Sequence, residues 1–192
     1  VQLLSSTLSP EVTAMYRTHL MVLTGMLLGT LALAQQPGRA PISALLNGVS
    51  PQQALKLANT WRAQGGLQSY VTPEAVHFTF PDGQKKTVTL PKGQMVVAIA
   101  PYINKTHPCK THFTSGCQGE MVNTPVKVHV TTRTGKTVLQ KTVRTLDNGF
   151  LELWLDRGQQ YKVTLTAQGK TTRGALATLP GSDTCVTTLQ LR

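Results

Sequence analysis

Residues 126–131 read VKVHVT, and this alternation of apolar and polar side chains decides how the chain folds. A period of two is typical of a β-strand with one buried face. Gly135 marks a turn, and residues 137–143 can form the returning strand. Further short strands are predicted at 150–155, 160–166, 170–178 and 185–191. Short strands at such spacing predict an antiparallel sandwich.

Upstream of these strands the pattern is that of a helix followed by a hairpin. Ser50 can cap a helix over residues 51–63, with proline at its first position and a glutamine that completes a capping box. Residues 75–80 and 86–90 flank a Pro-Asp-Gly turn as two hairpin strands, and 95–100 is a continuous apolar run typical of a strand buried on both faces. The sequence therefore predicts an α+β fold, with a small helix-containing N-terminal region and an antiparallel β-rich, sandwich-like C-terminal part.

The beginning of the chain has the pattern of a secretory signal peptide. A short, mildly basic lead at 15–19 precedes an apolar run at 20–31, and Ala32-Leu33-Ala34 is an A-x-A cleavage site. The apolar run is shorter than the ~20 residues that a spanning helix needs. We expect residues 1–34 to be an upstream extension plus signal peptide, with Met15 as initiator, and no stable membrane insertion after cleavage.

Composition narrows the classes of function. The net charge is +11, with 19 Lys+Arg against eight Asp+Glu, but the basic residues are scattered and form no dense cluster with interleaved aromatics. Export and this scatter argue against a nucleic-acid partner. No G-x-S-x-G or H-E-x-x-H motif supports hydrolysis. Export also permits disulfide chemistry, and because there are three cysteines, at least one must lie outside any intramolecular pair.

The chemistry of the chain is concentrated between the hairpin and the C-terminal strands. His107, Cys109, His112 and Cys117 have the spacing H-x-C-x2-H-x4-C, and Cys185 lies on a predicted strand that a sandwich could bring beside them. Thiolates select Cu(I), Zn(II) or iron–sulfur clusters, and imidazole suits copper and zinc. Three thiolates with a nearby imidazole match the low coordination number that Cu(I) prefers. The three cysteines and His112 could also supply the four tetrahedral ligands of zinc. Ligand chemistry alone leaves both metals open.

The same segment resembles a known motif. Residues 107–112 (HPCKTH) and 115–120 (SGCQGE), with Cys185 in the setting TCV, look like the cysteine-containing motif of the CueP family of bacterial periplasmic copper-binding proteins. The likeness covers essentially the whole chain after the signal peptide. It implies a periplasmic protein that binds copper through Cys109, Cys117 and Cys185, with His107 and His112 as further candidate ligands.

The pattern of helix and strands suggests a division of the chain, and the resemblance implies a set of activities. We expect residues 35–94 to be a helix-plus-hairpin region and 95–192 a β-rich copper-binding domain. Members of the family protect the periplasm from copper, deliver it to a periplasmic copper/zinc superoxide dismutase, and reduce Cu(II) to Cu(I) with electrons from cysteines. Residues 126–166 are also similar to transthyretin-like and carboxypeptidase-regulatory-like sandwich modules, a likeness that concerns the fold only.

A redox mechanism is consistent with these ligands. Because Cu(II) prefers nitrogen and oxygen while thiolates stabilise Cu(I), two thiols that each lose one electron can form a disulfide and reduce two copper ions. The short loop between Cys109 and Cys117 makes a bridge between these two plausible. Further partners of interest are disulfide oxidoreductases and a second copy of the chain.

Two other functions compete with copper binding. One is a secreted thiol–disulfide exchange protein that uses Cys109 and Cys117, although the chain has no C-x-x-C motif. The other is a secreted structural sandwich with an incidental disulfide.

Overall fold

The structure, a computed structural model, describes residues 41–62 and 65–192, and β-strands dominate it. The predicted signal peptide lies outside the described residues. A short 3-10 helix at Ile42–Leu46 precedes one α-helix, α1, at Pro51–Trp61. The strands are β1 (Gln68–Val71), β2 (Ala75–Thr79), β3 (Lys85–Thr89), β4 (Gln94–Ile99), β5 (Pro125–Thr132), β6 (Thr137–Arg144), β7 (Leu151–Asp156), β8 (Gln160–Ala167), β9 (Lys170–Ala177) and β10 (Cys185–Val186).

Helix α1 begins as its sequence predicts. The Ser50 hydroxyl accepts a hydrogen bond from the Gln53 backbone N–H, and the Gln53 side chain accepts one from the Ser50 N–H. This reciprocal pair satisfies two backbone donors that the first turn would otherwise leave free. The apolar face of the helix buries Ala54, Leu55, Ala58 and Trp61. Trp61 packs edge-on against Phe78 of β2, with ring centroids 6.0 Å apart.

The strands form three sheets. The hairpin β2–β3 is confirmed and gains β1 as a third strand, giving the order β1-β2-β3. The alternating strands form an antiparallel sheet of order β6-β5-β8-β9. The third sheet has the order β10-β4-β7, in which β4 pairs antiparallel with β7 and parallel with β10. The α+β, β-rich class is therefore correct.

Strand β4 is buried on both faces, as its continuous apolar run predicts. Met95, Val97 and Ile99 point into the core shared with the four-stranded sheet, and Val96 packs into the cluster formed by α1 and the first sheet. Ala98, on the same face as Val96, contacts neither large core. It belongs to a small cluster with two of the cysteines, Cys117 and Cys185. The short alanine side chain leaves room there for sulfur.

The last predicted strand, 185–191, is wrong in length. Strand β10 contains only Cys185 and Val186, because beyond them the chain forms hydrogen bonds with the loop after β4 instead of a sheet. The Tyr102 N–H donates to Leu189 and the Leu191 N–H donates to Tyr102, which gives an isolated bridge. Among the described residues, no helix has the length and apolar character needed to cross a membrane.

Candidate metal centre

All five residues predicted for the metal site lie in one region of the structure. The loop from β4 to β5 carries four of them, and β10 brings Cys185 beside the loop. The middle of the loop lines an open cavity of about 770 Å³, whose wall includes His107, Cys109 and Cys117. Cys109 is half-buried, while Cys117 and Cys185 are buried. The predicted meeting of three sulfur atoms from distant parts of the sequence is therefore present in the fold.

The disulfide differs from the pairing that loop length suggested. Cys109 is bonded to Cys185, 76 residues away, with their Cα atoms 5.6 Å apart. Among the described residues, Cys117 is the one cysteine left as a thiol, and its sulfur lies 3.4 Å from that of Cys109. The pairing follows from the backbone, because the N–H groups of Thr184 and Cys185 both donate to the Lys110 carbonyl. These bonds, 2.9 and 3.0 Å long, bring the loop against the beginning of β10.

Packing fixes the ring of His112, and hydrogen bonds fix its backbone. Its side chain is fully buried, and its ring packs on Phe150 with centroids 4.7 Å apart. The Thr184 hydroxyl accepts a 3.0 Å hydrogen bond from the His112 N–H and donates a 2.7 Å bond to the Val71 carbonyl. The Val71 N–H in turn donates to the His112 carbonyl at 2.9 Å. Strand β1, which the sequence did not predict, therefore helps to fix the backbone of a predicted site residue.

The neighbours of His112 set its charge and that of the free thiol. Burial lowers the pKa of His112, but interactions with Cys117 and with the Glu152 carboxylate outweigh it, so the pKa is raised. Burial raises the pKa of Cys117, while His112, a backbone N–H from Phe113 and the positive charge of Arg62 lower it by more. A lowered thiol pKa increases the fraction of thiolate, which is the form that binds metals and attacks disulfides.

Two imidazole nitrogens have no hydrogen-bond partner among the described residues and are available to bind a ligand. Among the described residues, His107 Nε2 and His112 Nδ1 are buried side-chain atoms with no hydrogen-bond partner. Buried polar atoms are rarely left unpaired, since each one costs about 1–3 kcal/mol. Two groups of ligand atoms are also compact: His107 with Cys109 and Cys117, and His112 with Cys117 and Cys185, each within 4.8 Å. Thiolates and free imidazole nitrogens are a donor set that fits copper.

Three neighbours of the site were not among the predicted site residues. The Arg62 guanidinium, just after α1, donates to the carbonyls of Thr114 (3.3 Å) and Cys117 (2.9 Å). Glu152 of β7 lies 3.2 Å from His112 Nε2. Glu120 closes the loop, because its carboxylate accepts the backbone N–H groups of residues 103–105. These bonds hold the pKa of Glu120 at about 2.

The end of the loop is fixed by a close approach of two glycines. The Gly119 N–H donates to the Asn148 carbonyl at 2.6 Å, and Gly149 follows with a positive φ of 76°. A Cβ at Gly149 would lie 2.7 Å from the Gly119 carbonyl, a distance that side chains do not tolerate. Only glycine therefore allows the turn before β7 to hold the chain two residues after Cys117.

Comparisons with known proteins show which family and which solved structure the chain is similar to. The family described as "Periplasmic copper-binding protein CueP" matches residues 54–190. A solved structure described as "Crystal Structure of S.CueP" is 31% identical in sequence and superposes with a TM-score of 0.72. That match covers 81% of this chain and 100% of the other. No curated protein matches the chain.

Proposed function

This chain belongs to the CueP family of periplasmic copper-binding proteins, and from that premise we propose that its reduced form binds Cu(I) through Cys109, Cys117 and Cys185. The observation that carries the proposal is the meeting of the three sulfurs, with Cys109 bonded to Cys185 and 3.4 Å from Cys117. His107 and His112 complete the site, since each has a buried nitrogen that lacks a partner within the described residues.

Oxidation changes the ligands that the site offers. In the disulfide state Cys117 is the remaining thiol, and both compact groups of ligand atoms include it. With Cys109 and Cys185 consumed, Cys117 and the imidazoles are left to contact copper. In the reduced state all three thiolates are available, and thiolates favour Cu(I). We therefore place the tightest Cu(I) binding in the reduced protein and weaker binding in the disulfide form.

The site also suits the reduction of Cu(II). Two Cu(II) ions each accept one electron, Cys109 and Cys185 each give one as thiolates, and a sulfur–sulfur bond forms between them. The products are two Cu(I) ions and the disulfide, so that charge and electrons balance. No other reductant is needed for this single turnover. A further cycle requires an external dithiol, and disulfide oxidoreductases are the partners that we propose for it.

Copper binding is tested by titration. Reduced protein lacking residues 1–34 is titrated with Cu(I) against a chromophoric chelator, alongside Cys109→Ser, Cys117→Ser and Cys185→Ser. We expect every substitution to weaken binding at least tenfold, and zinc to bind more weakly than Cu(I). Ser69→Ala is a control that also removes a buried hydrogen bond near the loop but no candidate ligand. Equal affinities for wild type and Cys185→Ser would overturn the three-sulfur site.

Reduction is tested by counting thiols and mapping the bond. Adding two equivalents of Cu(II) to the fully reduced protein without oxygen should yield two equivalents of Cu(I) and consume two thiols. Peptide mapping after alkylation should then find Cys109 joined to Cys185 and Cys117 alkylated. Cu(I) production that leaves all three thiols free would contradict the mechanism.

A second candidate function, thiol–disulfide exchange, is favoured by one distance. The Cys117 sulfur lies 3.4 Å from that of Cys109. In the exchange, the Cys117 thiolate forms a bond to Cys109 sulfur, the bond to Cys185 breaks, and Cys185 leaves as a thiolate. This version retains the predicted pair of Cys109 and Cys117 as one of two alternating bridges. Exchange that proceeds at an unchanged rate without copper would favour it over copper binding.

Delivery to a periplasmic copper/zinc superoxide dismutase is the destination that we propose for the copper. The open cavity supports transfer to another protein, and Phe113, 47% exposed, lies at its wall. Mixing the Cu(I)-loaded protein with copper-free dismutase should restore dismutase activity faster than free Cu(I) held at the same activity by a chelator. Light scattering of the mixture and of the protein alone would also show whether the chain associates with the dismutase or with a second copy of itself.

A further inference from the structure

Glu152 is an acidic residue whose carboxylate contacts the ring of His112. It lies on β7, opposite Ala98 of β4, and therefore beside the small cluster that contains the cysteines. One carboxylate oxygen is 3.2 Å from His112 Nε2, and the side chain is 11% exposed. Burial of a carboxylate is costly unless hydrogen bonds compensate for it, so the partners of Glu152 indicate what it does.

The carboxylate of Glu152 is anchored from its other side by helix α1. Asn59 Nδ2 donates to both carboxylate oxygens, at 2.8 and 3.0 Å. Asn59 is itself fixed, because the same amide donates to the Leu55 carbonyl one turn earlier and its oxygen accepts from Asn148. Glu152 is thus held between a helix and the histidine, and its orientation does not depend on a flexible surface contact.

This arrangement determines which nitrogen of His112 is available. Because a carboxylate accepts hydrogen bonds, the Nε2 atom facing Glu152 carries the proton. The neutral ring then has its lone pair on Nδ1, the atom that lacks a hydrogen-bond partner among the described residues. Histidines that bind metals commonly donate their other N–H to a carboxylate, which fixes the ring and its tautomer.

We propose that Glu152 is a positioning residue for copper, which holds the Nε2 proton and the orientation of His112 so that Nδ1 faces the sulfurs as a ligand. Asn59 fixes the carboxylate for this task. The inference rests on the proposed function, since it assigns a role toward bound copper. It goes beyond the cysteine motif, because neither Glu152 nor Asn59 belongs to it and both are contributed by other elements.

The test compares Glu152→Ala and Glu152→Gln with wild type by Cu(I) competition under reducing conditions. Loss of a residue that orients a metal ligand typically costs 10–100-fold in affinity, and we expect that loss for Glu152→Ala. Glu152→Gln should recover part of the lost affinity, because the amide oxygen can still accept a hydrogen bond from the Nε2–H group of His112. Glu74→Ala is the matched control, since Glu74 is exposed and makes no side-chain contact with the site. The Cu(I) affinity of this variant should equal that of wild type.

A double-substitution cycle shows whether Glu152 acts through His112. If it does, adding Glu152→Ala to His112→Ala should lower the affinity no further. An equal loss in both backgrounds would overturn the proposal. Should His112→Ala fail to fold, nitrogen NMR of ¹⁵N-histidine-labelled, Cu(I)-loaded protein gives an independent answer. Wild type should show the metal-shifted nitrogen at Nδ1 and a slowly exchanging proton at Nε2, and the Glu152→Ala protein should lose the slow exchange.

The outcomes separate this proposal from the proposed function. Absence of Cu(I) binding by wild type would overturn both. Tight binding by wild type with an unchanged affinity in Glu152→Ala would leave copper binding standing and overturn the role of Glu152. A lower melting temperature with unchanged Cu(I) affinity and an unchanged Nε2 proton would show that Glu152 has a structural role alone.

Discussion

Thr184 precedes Cys185, and its hydroxyl connects strand β1 with the copper-site loop. It accepts from the His112 N–H and donates to the Val71 carbonyl, and the residue is 2% exposed. Both bonds disappear if the hydroxyl is replaced by a methyl group of the same shape, and both backbone groups then stay buried. Burial without a partner costs about 1–3 kcal/mol for each group.

We therefore expect Thr184→Val to lower the free energy of unfolding by about 2–6 kcal/mol, the combined cost of two such groups. Urea denaturation of the oxidised protein measures it. The matched control is Thr142→Val on the exposed side of β6, which should change stability little. Equal stabilities for the two variants would show that the Thr184 hydroxyl does not hold the loop.

Glu120 predicts a dependence of stability on pH. Its pKa is lowered from 4.5 to about 2 by hydrogen bonds from Asn104, Ile103 and Lys105. Because the folded-state pKa lies below the unfolded value, the charged carboxylate stabilises the fold above pH 4.5. That contribution is lost as the pH falls towards about 2.

Glu120→Gln should consequently be less stable than wild type at pH 6, and the difference should shrink as the pH falls through this range. Thermal unfolding at a series of pH values provides the comparison. Asp82→Asn serves as a control for the loss of one exposed carboxylate in another loop. A difference between Glu120→Gln and wild type that stays constant down to pH 2 would refute the role of the Glu120 charge.

At the same scale, the sequence revealed the candidate ligands that are chemically distinctive. The spacing of two histidines and two cysteines in residues 107–117 is a local signal, and Cys185 stands out because cysteine is rare in this chain. Glu152 and Arg62 carry no such signal. They resemble ordinary polar residues of a strand and of a helix end, and their roles arise from contacts with residues 40 or more positions away.

Among the elements of the fold, the turn before β7 contacts the end of the loop that carries Cys117. Gly149 combines a positive φ with contact to the Gly119 backbone. Gly135, in the turn between β5 and β6, has a φ of 91° but open space around its missing Cβ. Substitutions at Gly135 and Gly149 therefore separate the free-energy cost of the backbone conformation from the cost of a clash with Gly119.

Gly135→Ala should cost about 1–2 kcal/mol in unfolding free energy, the usual penalty of a left-handed residue with a side chain. Gly149→Ala should cost more than that, because the added methyl also displaces the Gly119 backbone. It should weaken Cu(I) binding as well, since Gly119 lies two residues from Cys117. Chemical denaturation and Cu(I) competition of both variants test this, and equal effects of the two substitutions on both readouts would contradict it.

Local patterns predicted some elements well and others poorly. The capping box and apolar stripe of α1, the hairpin β2–β3 and the buried run of β4 are each specified by adjacent residues. Strand β1 is only four residues long, although it pairs with the adjacent β2. Strand β10 is shorter still, and its hydrogen bonds depend on β4, which is distant in sequence. Alternation in β7 indicates a strand but not its neighbour, so its pairing with β4 instead of the four-stranded sheet could not be read from the pattern.

At the scale of the whole molecule, the disulfide connects the middle of the chain to its end. The bond between Cys109 and Cys185 closes a loop spanning 76 positions, which includes all of the four-stranded sheet. Cross-linking so long a loop restricts the unfolded chain, with a stabilisation of about 4 kcal/mol in the chain-entropy model. Cu(I) bound by both cysteines would connect the same two segments.

Reducing the disulfide should therefore lower the melting temperature, and one equivalent of Cu(I) should raise that of the reduced protein again. Differential scanning calorimetry of the oxidised, reduced and Cu(I)-loaded forms measures both changes. The double variant Cys109→Ser/Cys185→Ser has no intramolecular disulfide to lose, and it is the control for the effect of reductant alone. A melting temperature of the reduced protein that Cu(I) leaves unchanged would speak against a copper bridge between the loop and β10.

Copper X-ray absorption of the reduced, Cu(I)-loaded protein tests most directly whether the three sulfurs bind one ion. We predict a first coordination shell dominated by sulfur, from which Cys109→Ser, Cys117→Ser and Cys185→Ser each remove one sulfur scatterer. A wild-type shell made of nitrogen and oxygen, or a sulfur count that does not change in Cys185→Ser, would contradict a copper site built by the convergence of these three residues.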